Sequence, residues 1–166
     1  EEAEMNSPET TEESGTALHP ILLEPLQDKM NSKNKTFIDK LRSSGLRPTN
    51  QRVEISKFLF NRKKTFHFTV EELKTSMNLK RSKKISTATF YNTVHALKSA
   101  GHLKEFSLEN NTSYYDTNIK SHHHFFDNGK VIDIKSDKIT FQKLPDAPKG
   151  KKIKNVEVVI RLENND

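Results

Sequence analysis

The sequence predicts an α+β chain, helical between Lys35 and Ala100 and built of hairpins after Gly101. Three observations predict it. Apolar residues recur at three- and four-residue spacing up to Leu97. From Phe106 they alternate with polar ones. Asn128-Gly129 then stands between two apolar runs, SHHHFFD and KVIDI, which is the strongest short signal of a hairpin.

The elements follow in chain order. Residues 1–33 read as an acidic, largely disordered segment, with an apolar cluster at 18–30 interrupted by Pro20 and Pro25. Phe37, Ile38 and Leu41 share a helical face from Lys35 to Ser44, and Gly45 stands where a C-cap favours glycine. Thr49 caps a second helix carrying Val53, Ile55, Phe58 and Leu59. Thr69 and Glu72 form a capping box for a third helix, to about Met77. After the basic connector KRSKK, Ser86 or Thr87 caps a last helix that Gly101 stops. Phe106 and Leu108, a turn at Glu109-Asn110-Asn111, and SYYDT make a hairpin. Several helices followed by a two-stranded hairpin is the order of a winged helix-turn-helix domain, assigned to residues 34–118. Residues 119–166 form a small β-rich unit, with a third strand expected over 155–162 after the loop LPDAPKGKK. A unit of this size is expected to pack on a partner chain.

Composition narrows the function. The chain has 166 residues, 32% hydrophobic and 30% charged, with a mean hydropathy of −0.82. No run approaches the roughly 20 apolar residues of a membrane span. The start reads as no signal peptide, so a cytoplasmic location is expected. With no cysteine, the chain has no disulfide, thiolate nucleophile or Cys-ligated zinc. No phosphate-binding glycine loop, GxSxG or HExxH is present, so no enzyme is expected. Residues 1–30 carry eight acids and one base, a net charge of −7, so the rest of the chain carries +13 and the whole chain +6. A basic body of this size points to a polyanion, above all nucleic acid.

The last helix, STATFYNTVHALKSAG, buries Phe90, Val94 and Leu97 and turns Thr89, Asn92 and Thr93 outward, with Tyr91 at the flank. Such groups suit base edges and phosphates, although an ordinary amphipathic helix shows the same stripe. Arg47, Arg52, Lys83 and Lys84 head the phosphate candidates, with Arg42, Arg62, Lys63, Lys64, Lys80 and Arg81 beside them.

Seven histidines occur, three of them consecutive. On a strand His122 and His124 share one face and His123 takes the other. A two-residue turn at Asn128-Gly129 pairs residue 124 with 133, so His124 faces Asp133. Asp116 can close on this pair, and His67 can add a third nitrogen. Imidazole and carboxylate donors without thiolates suit Fe²⁺, Mn²⁺ or Zn²⁺. A polar histidine tract on an edge strand is the competing reading. His19, His95 and His102 read as surface or packing residues.

Taken together, LRSSGLRPTNQRVEISKFLF, HFTVEEL, ISTATFYNTVHALKSAGHLKEF, YYDT and HHHFFDNGKVIDI resemble the ferric uptake regulator family over about residues 35–134. The HHHFF core and the tail look most like its iron response and peroxide regulator branch. The resemblance implies a winged-helix domain joined to a small α/β dimerisation domain, and a homodimer on a pseudo-palindromic double-stranded DNA operator. It implies a regulatory metal at His67, Asp116, His122, His124 and Asp133, and a DNA-reading role for Tyr91, with Asn92 where an arginine often follows. Fe²⁺ or Mn²⁺ is the expected metal, with Zn²⁺ in purified protein. Peroxide sensing would act through oxidation of His67 or His122. The family's CxxC pairs are missing, so no Cys-ligated structural zinc is expected, and apolar strands at Val156, Val158 and Ile160 must hold the dimer. The alternatives are a haem-responsive regulator using His122, His123 and His124, a metal-dependent hydrolase, and a DNA binder that needs no metal.

Overall fold

The structure, a computed structural model, describes residues 20–108 and 111–165, with side chains from residue 32 onward. The acidic stretch before Pro20 and the turn residues Glu109 and Asn110 lie outside it. The chain divides into two compact units, residues 1–35 and 36–166.

Helix α1 (Pro20–Ser43) starts at Pro20 rather than at Lys35. Proline is well placed at a first helical position, where its missing N–H has no partner to lose. At its end Gly45 takes φ +75, and the Leu46 N–H returns to the Leu41 carbonyl at 2.9 Å, closing the helix as the glycine predicts. Helix α2 (Asn50–Phe60) is capped by Thr49, whose side chain accepts from the Arg52 N–H. Strand β1 (His67–Phe68) leads into α3 (Val70–Asn78) through the full capping box. Thr69 Oγ1 accepts from the Glu72 N–H at 3.1 Å, and Glu72 Oε2 from the Thr69 N–H at 2.8 Å.

The Asn78 side chain clamps the basic connector, donating to the Ile85 carbonyl and accepting from the Ile85 N–H, both at 2.9 Å. Ser86 then caps α4 (Thr87–Ser99). One core joins α2, α3 and α4. Ile55, Leu59, Leu73, Phe90, Val94 and Leu97 are all at most 1% exposed, and Phe68 and Tyr115 close it from the sheet side. Thr93, expected to face outward, is fully buried. Its hydroxyl donates back to the Thr89 carbonyl at 2.6 Å, so the side chain enters the core with its polar group satisfied.

The remaining strands are β2 (Lys104–Ser107), β3 (Ser113–Asp116), β4 (His122–Asp127), β5 (Lys130–Lys135) and β6 (Val159–Arg161). They form two three-stranded sheets, ordered β1-β3-β2 and β5-β4-β6. Asn128 (φ 46) and Gly129 (φ 86) make the tight turn that the dipeptide predicts, and it sets His124 opposite Asp133. Strand β6 is shorter than the expected 155–162 and runs parallel to β4. The α/β character expected of the second domain is also reduced. Among its described residues the only helical turn is a 3-10 turn at Ser136–Lys138. Pro145, Pro148 and Gly150 keep the following stretch from becoming helical. Among the described residues no helix is long and apolar enough to cross a membrane.

Candidate metal centre

Each of the five selected side chains is placed by a strand register. His67 lies opposite Asp116 across β1 and β3, and His124 opposite Asp133 across β4 and β5. Reciprocal contacts between Phe66 and Thr117 lock the first pairing. The Phe66 N–H donates to Thr117 Oγ1 at 3.0 Å, and the Thr117 N–H to the Phe66 carbonyl at 3.2 Å. His122 shares the face of His124 by strand alternation.

One donor atom from each of the five lies within 4.8 Å of every other. Asp116 Oδ2 is 2.8 Å from His122 Nε2, 3.1 Å from His67 Nε2 and 3.4 Å from His124 Nε2. Asp133 Oδ1 is 2.7 Å from His67 Nε2, 3.3 Å from His122 Nε2 and 3.7 Å from His124 Nε2. Three imidazole nitrogens and two carboxylate oxygens thus point at one small volume. Asp116 is 1% exposed and Asp133, at the rim, 36%.

Two details fit a cation between these groups. The His67 Nε2 is buried and faces two carboxylate oxygens at once, Asp133 Oδ1 at 2.7 Å and Asp116 Oδ2 at 3.1 Å, of which a single N–H serves at most one fully. His122 Nδ1 is 2.7 Å from the Lys120 carbonyl, which can only accept, so this nitrogen carries the hydrogen. The His122 Nε2 faces the Asp116 carboxylate, so a cation between them would take the Nε2 lone pair, the arrangement of a metal-ligating histidine oriented by a backbone carbonyl.

The electrostatics agree. Burial pushes the Asp116 carboxyl up, but His124, His67 and the Asn118 N–H, which donates to Oδ1 at 2.7 Å, hold it well below the usual carboxylate range. Burial lowers His67, and the two carboxylates outweigh it, so its pKa lies above the ordinary 6.5. An oxygen and nitrogen set of this kind suits Fe²⁺, Mn²⁺ or Zn²⁺.

His123 does not join the cluster. It faces the other side of β4, accepts from the Val158 N–H at 3.1 Å and meets the Phe141 ring edge-on at 5.9 Å. Sequence reasoning missed Phe106, which shows there only as an alternating strand residue. Its ring stacks on His124 at 4.6 Å.

The nucleic-acid candidates lie elsewhere in the fold. Tyr91 and Asn92 are exposed on α4, while Thr89 is half-buried with its hydroxyl 2.8 Å from Ser86 Oγ. Lys83 and Lys84 are exposed on the connector, and Lys84 reaches the Asn78 carbonyl. Arg47 is exposed, whereas Arg52 donates to the Arg47 carbonyl at 3.1 Å. Arg81 pairs with Glu54.

The ferric uptake regulator family matches residues 43–161 of this chain. Solved structures share the fold at low identity. The ferric uptake regulator of Pseudomonas aeruginosa with manganese is 17% identical with a TM-score of 0.56, covering 78% of this chain and 98% of that one. The Vibrio cholerae regulator, described for a rearrangement of its DNA-binding domains, is 18% identical at a TM-score of 0.57, covering 76% and 98%. The Helicobacter pylori regulator, described as having three functional metal binding sites, is 18% identical at 0.55, covering 78% and 91%. A comparison with curated proteins finds no match.

Proposed function

Since the chain belongs to the ferric uptake regulator family, we propose that it is a homodimeric, cytoplasmic transcription regulator of the iron response and peroxide branch. Its binding to double-stranded DNA would be governed by Fe²⁺ or Mn²⁺ at His67, Asp116, His122, His124 and Asp133. One observation carries this reading: the five donor atoms come from both sheets and still lie within 4.8 Å of one another. A bound divalent cation supplies positive charge that compensates two carboxylates in a space where three imidazoles also converge.

The residues do the rest. His67 and Asp116 belong to the sheet that ends the helical part, and His122, His124 and Asp133 to the second sheet. Holding both sets at one point fixes the β2–β3 hairpin against β4. It thereby favours one arrangement of the winged-helix domain, residues 34–118, over others. Tyr91, Asn92 and Thr89 on α4 would then meet base edges, while Arg47, Arg52, Lys83 and Lys84 meet phosphates. Two such helices in a dimer would read a pseudo-palindromic site.

The dimer draws support from the second sheet, residues 119–166. Ile132, Phe125 and Ile160 stand in register across its three strands on the face away from the cluster. Ile132 is 40% exposed and Ile160 37%. A contiguous apolar row on an exposed sheet suits a second copy. Zn²⁺ would fill the centre in purified protein, being favoured over Fe²⁺ and Mn²⁺ by such donors. No observation favours haem at His122, His123 and His124.

The test is metal content per chain, by mass spectrometry, after anaerobic reconstitution with Fe²⁺ or Mn²⁺, with His124→Ala alongside. About one metal per chain, lost in the variant, together with metal-dependent binding to DNA selected from a random pool, is the expected result. Absence of metal from the wild-type chain would overturn the metal switch. Peptide mapping of the Fe²⁺ sample after peroxide tests the peroxide reading, which requires oxygen gained on His67 or His122.

A further inference from the structure

The cluster has an aromatic wall that belongs to the β2–β3 hairpin. Phe106 and Tyr114 are direct partners across β2 and β3, so their rings share one face, stacked at 5.8 Å and 20°. His124 and Phe126, two residues apart on β4, share the facing side. Pair meets pair. The Phe106 ring lies flat on the His124 imidazole at 4.6 Å and 13°, and Tyr114 meets Phe126 edge-on at 6.3 Å and 73°. Phe106 also stands edge-on to His67 at 6.0 Å and 86°.

Phe106 therefore touches two of the three converging imidazoles while offering no donor atom. It is also no part of the buried core that packs the helices. Offset stacking fixes the plane of a ring, and the plane of His124 decides where its Nε2 lone pair points. His124 is thus shared. Its nitrogen belongs to the donor set, and its face belongs to the hairpin.

We propose that Phe106 is a positioning residue of the metal centre. It sets the His124 plane, and it gives the β2–β3 hairpin a second contact with the centre beside the Asp116 carboxylate at the end of β3. This rests on the metal reading given above.

The test uses the full chain loaded with Co²⁺, whose visible bands report ligand geometry, with hydrogen exchange of peptides covering residues 104–116. Phe106→Leu and Phe106→Met keep an apolar side chain and lose the ring face. Phe106→Tyr keeps it. Phe126→Leu removes a ring of the same seam that touches no donor imidazole. The two ring-less variants are expected to hold about one Co²⁺ per chain with affinity roughly tenfold lower, the size of effect seen when the support of a ligating histidine is lost. Their Co²⁺ bands should shift, and Co²⁺ should slow exchange around residue 106 less than in wild type, while the Asp116 end of β3 stays protected. Phe106→Tyr should restore both signals, and Phe126→Leu should leave the Co²⁺ bands unchanged. Wild-type bands and wild-type hairpin protection in either ring-less variant would overturn the inference while leaving the metal reading intact. A wild-type chain that takes no Co²⁺ would overturn both.

Discussion

His67 stands directly across the β1–β3 ladder from Asp116, its Nε2 3.1 Å from the carboxylate Oδ2. One residue thus precedes a helix cap and the other ends a hairpin, and the two-residue strand β1 brings them together. Because Asp116 also meets His122 and His124, a single buried carboxylate serves three imidazoles in two sheets.

Asp116→Asn keeps the shape and removes the charge. The amide retains an acceptor for the Asn118 N–H but no longer neutralises a cation in a site that is 1% exposed. Metal affinity is expected to fall at least about 100-fold, the upper range for losing a supporting group and a floor for losing a ligand. Competition against a coloured chelator measures it. Affinity within a few-fold of wild type would remove Asp116 from the centre.

The pH dependence has a definite sign in the metal-free chain. Asp116 is depressed below its ordinary value of 3.8, so its contribution is present above that value and is lost as pH falls through the lower folded pKa. His67 is raised above 6.5, so its contribution is full below 6.5 and is lost as pH rises through the higher folded value. Both are present together between 3.8 and 6.5. Metal binding displaces the His67 proton, so stabilisation by metal should grow as pH rises through the raised value. Thermal melts with and without Mn²⁺ across this range give the comparison. A metal-induced shift in Tm that shrinks toward alkaline pH would contradict the assignment.

Much of the centre was legible because the Asn128-Gly129 turn is a local signal with a geometric consequence. Two residues in the turn set the register, and the register puts His124 opposite Asp133. Strand β1 was not legible, since two residues carry no periodicity and its pairing with β3 is made across about fifty residues of chain. The role of Phe106 was hidden for the same reason: strand alternation gives a face but not what the face meets. Polarity alone turns Thr93 outward, while its hydroxyl bonds within α4 and the side chain packs inward. Among the described residues the second domain has no α-helix, and Pro145, Pro148 and Gly150 hold the loop that their sequence predicts.

The connector lysines offer a test that does not depend on the operator sequence. Lys83 and Lys84 are both exposed in the loop that the Asn78–Ile85 clamp closes. If each meets a phosphate, the double variant Lys83→Ala/Lys84→Ala should lower the slope of log K against log salt by about 2, and weaken selected and random duplexes alike. Tyr91→Ala should instead lower affinity for the selected duplex more than for the random one. Loss of discrimination in the lysine variant with an unchanged salt slope would reverse these roles.

The capping box starts α3 beside the centre without placing the His67 ligand. Thr69 lies two residues after His67, and its hydroxyl accepts from the Glu72 N–H at 3.1 Å. Thr69→Ala should cost about 1 kcal/mol in urea denaturation, the usual loss of an N-cap. It should do so with metal stoichiometry unchanged, because β1 is held independently by Phe66 and Thr117. Loss of metal from a still-folded Thr69→Ala chain would show instead that the cap, and not the strand pairing, places His67.

The apolar row and the metal centre lie on opposite faces of the second sheet. Phe125 lies between Ile132 and Ile160 in the three-stranded sheet, while His124 on the same strand faces the opposite way. A charge placed in the apolar row therefore leaves the metal face untouched. Ile160 is 37% exposed, so Ile160→Glu is tolerated in a lone chain but is costly once a partner covers it without a compensating charge. Sedimentation should show wild type as a dimer and Ile160→Glu as a monomer at micromolar concentration, with metal content equal in both. Affinity for a palindromic duplex should fall with the dimer, while affinity for a half-site changes little, since each recognition helix is intact. A dimeric Ile160→Glu chain would place the partner on another surface. A monomer that also loses metal would show that the second copy supports the centre itself.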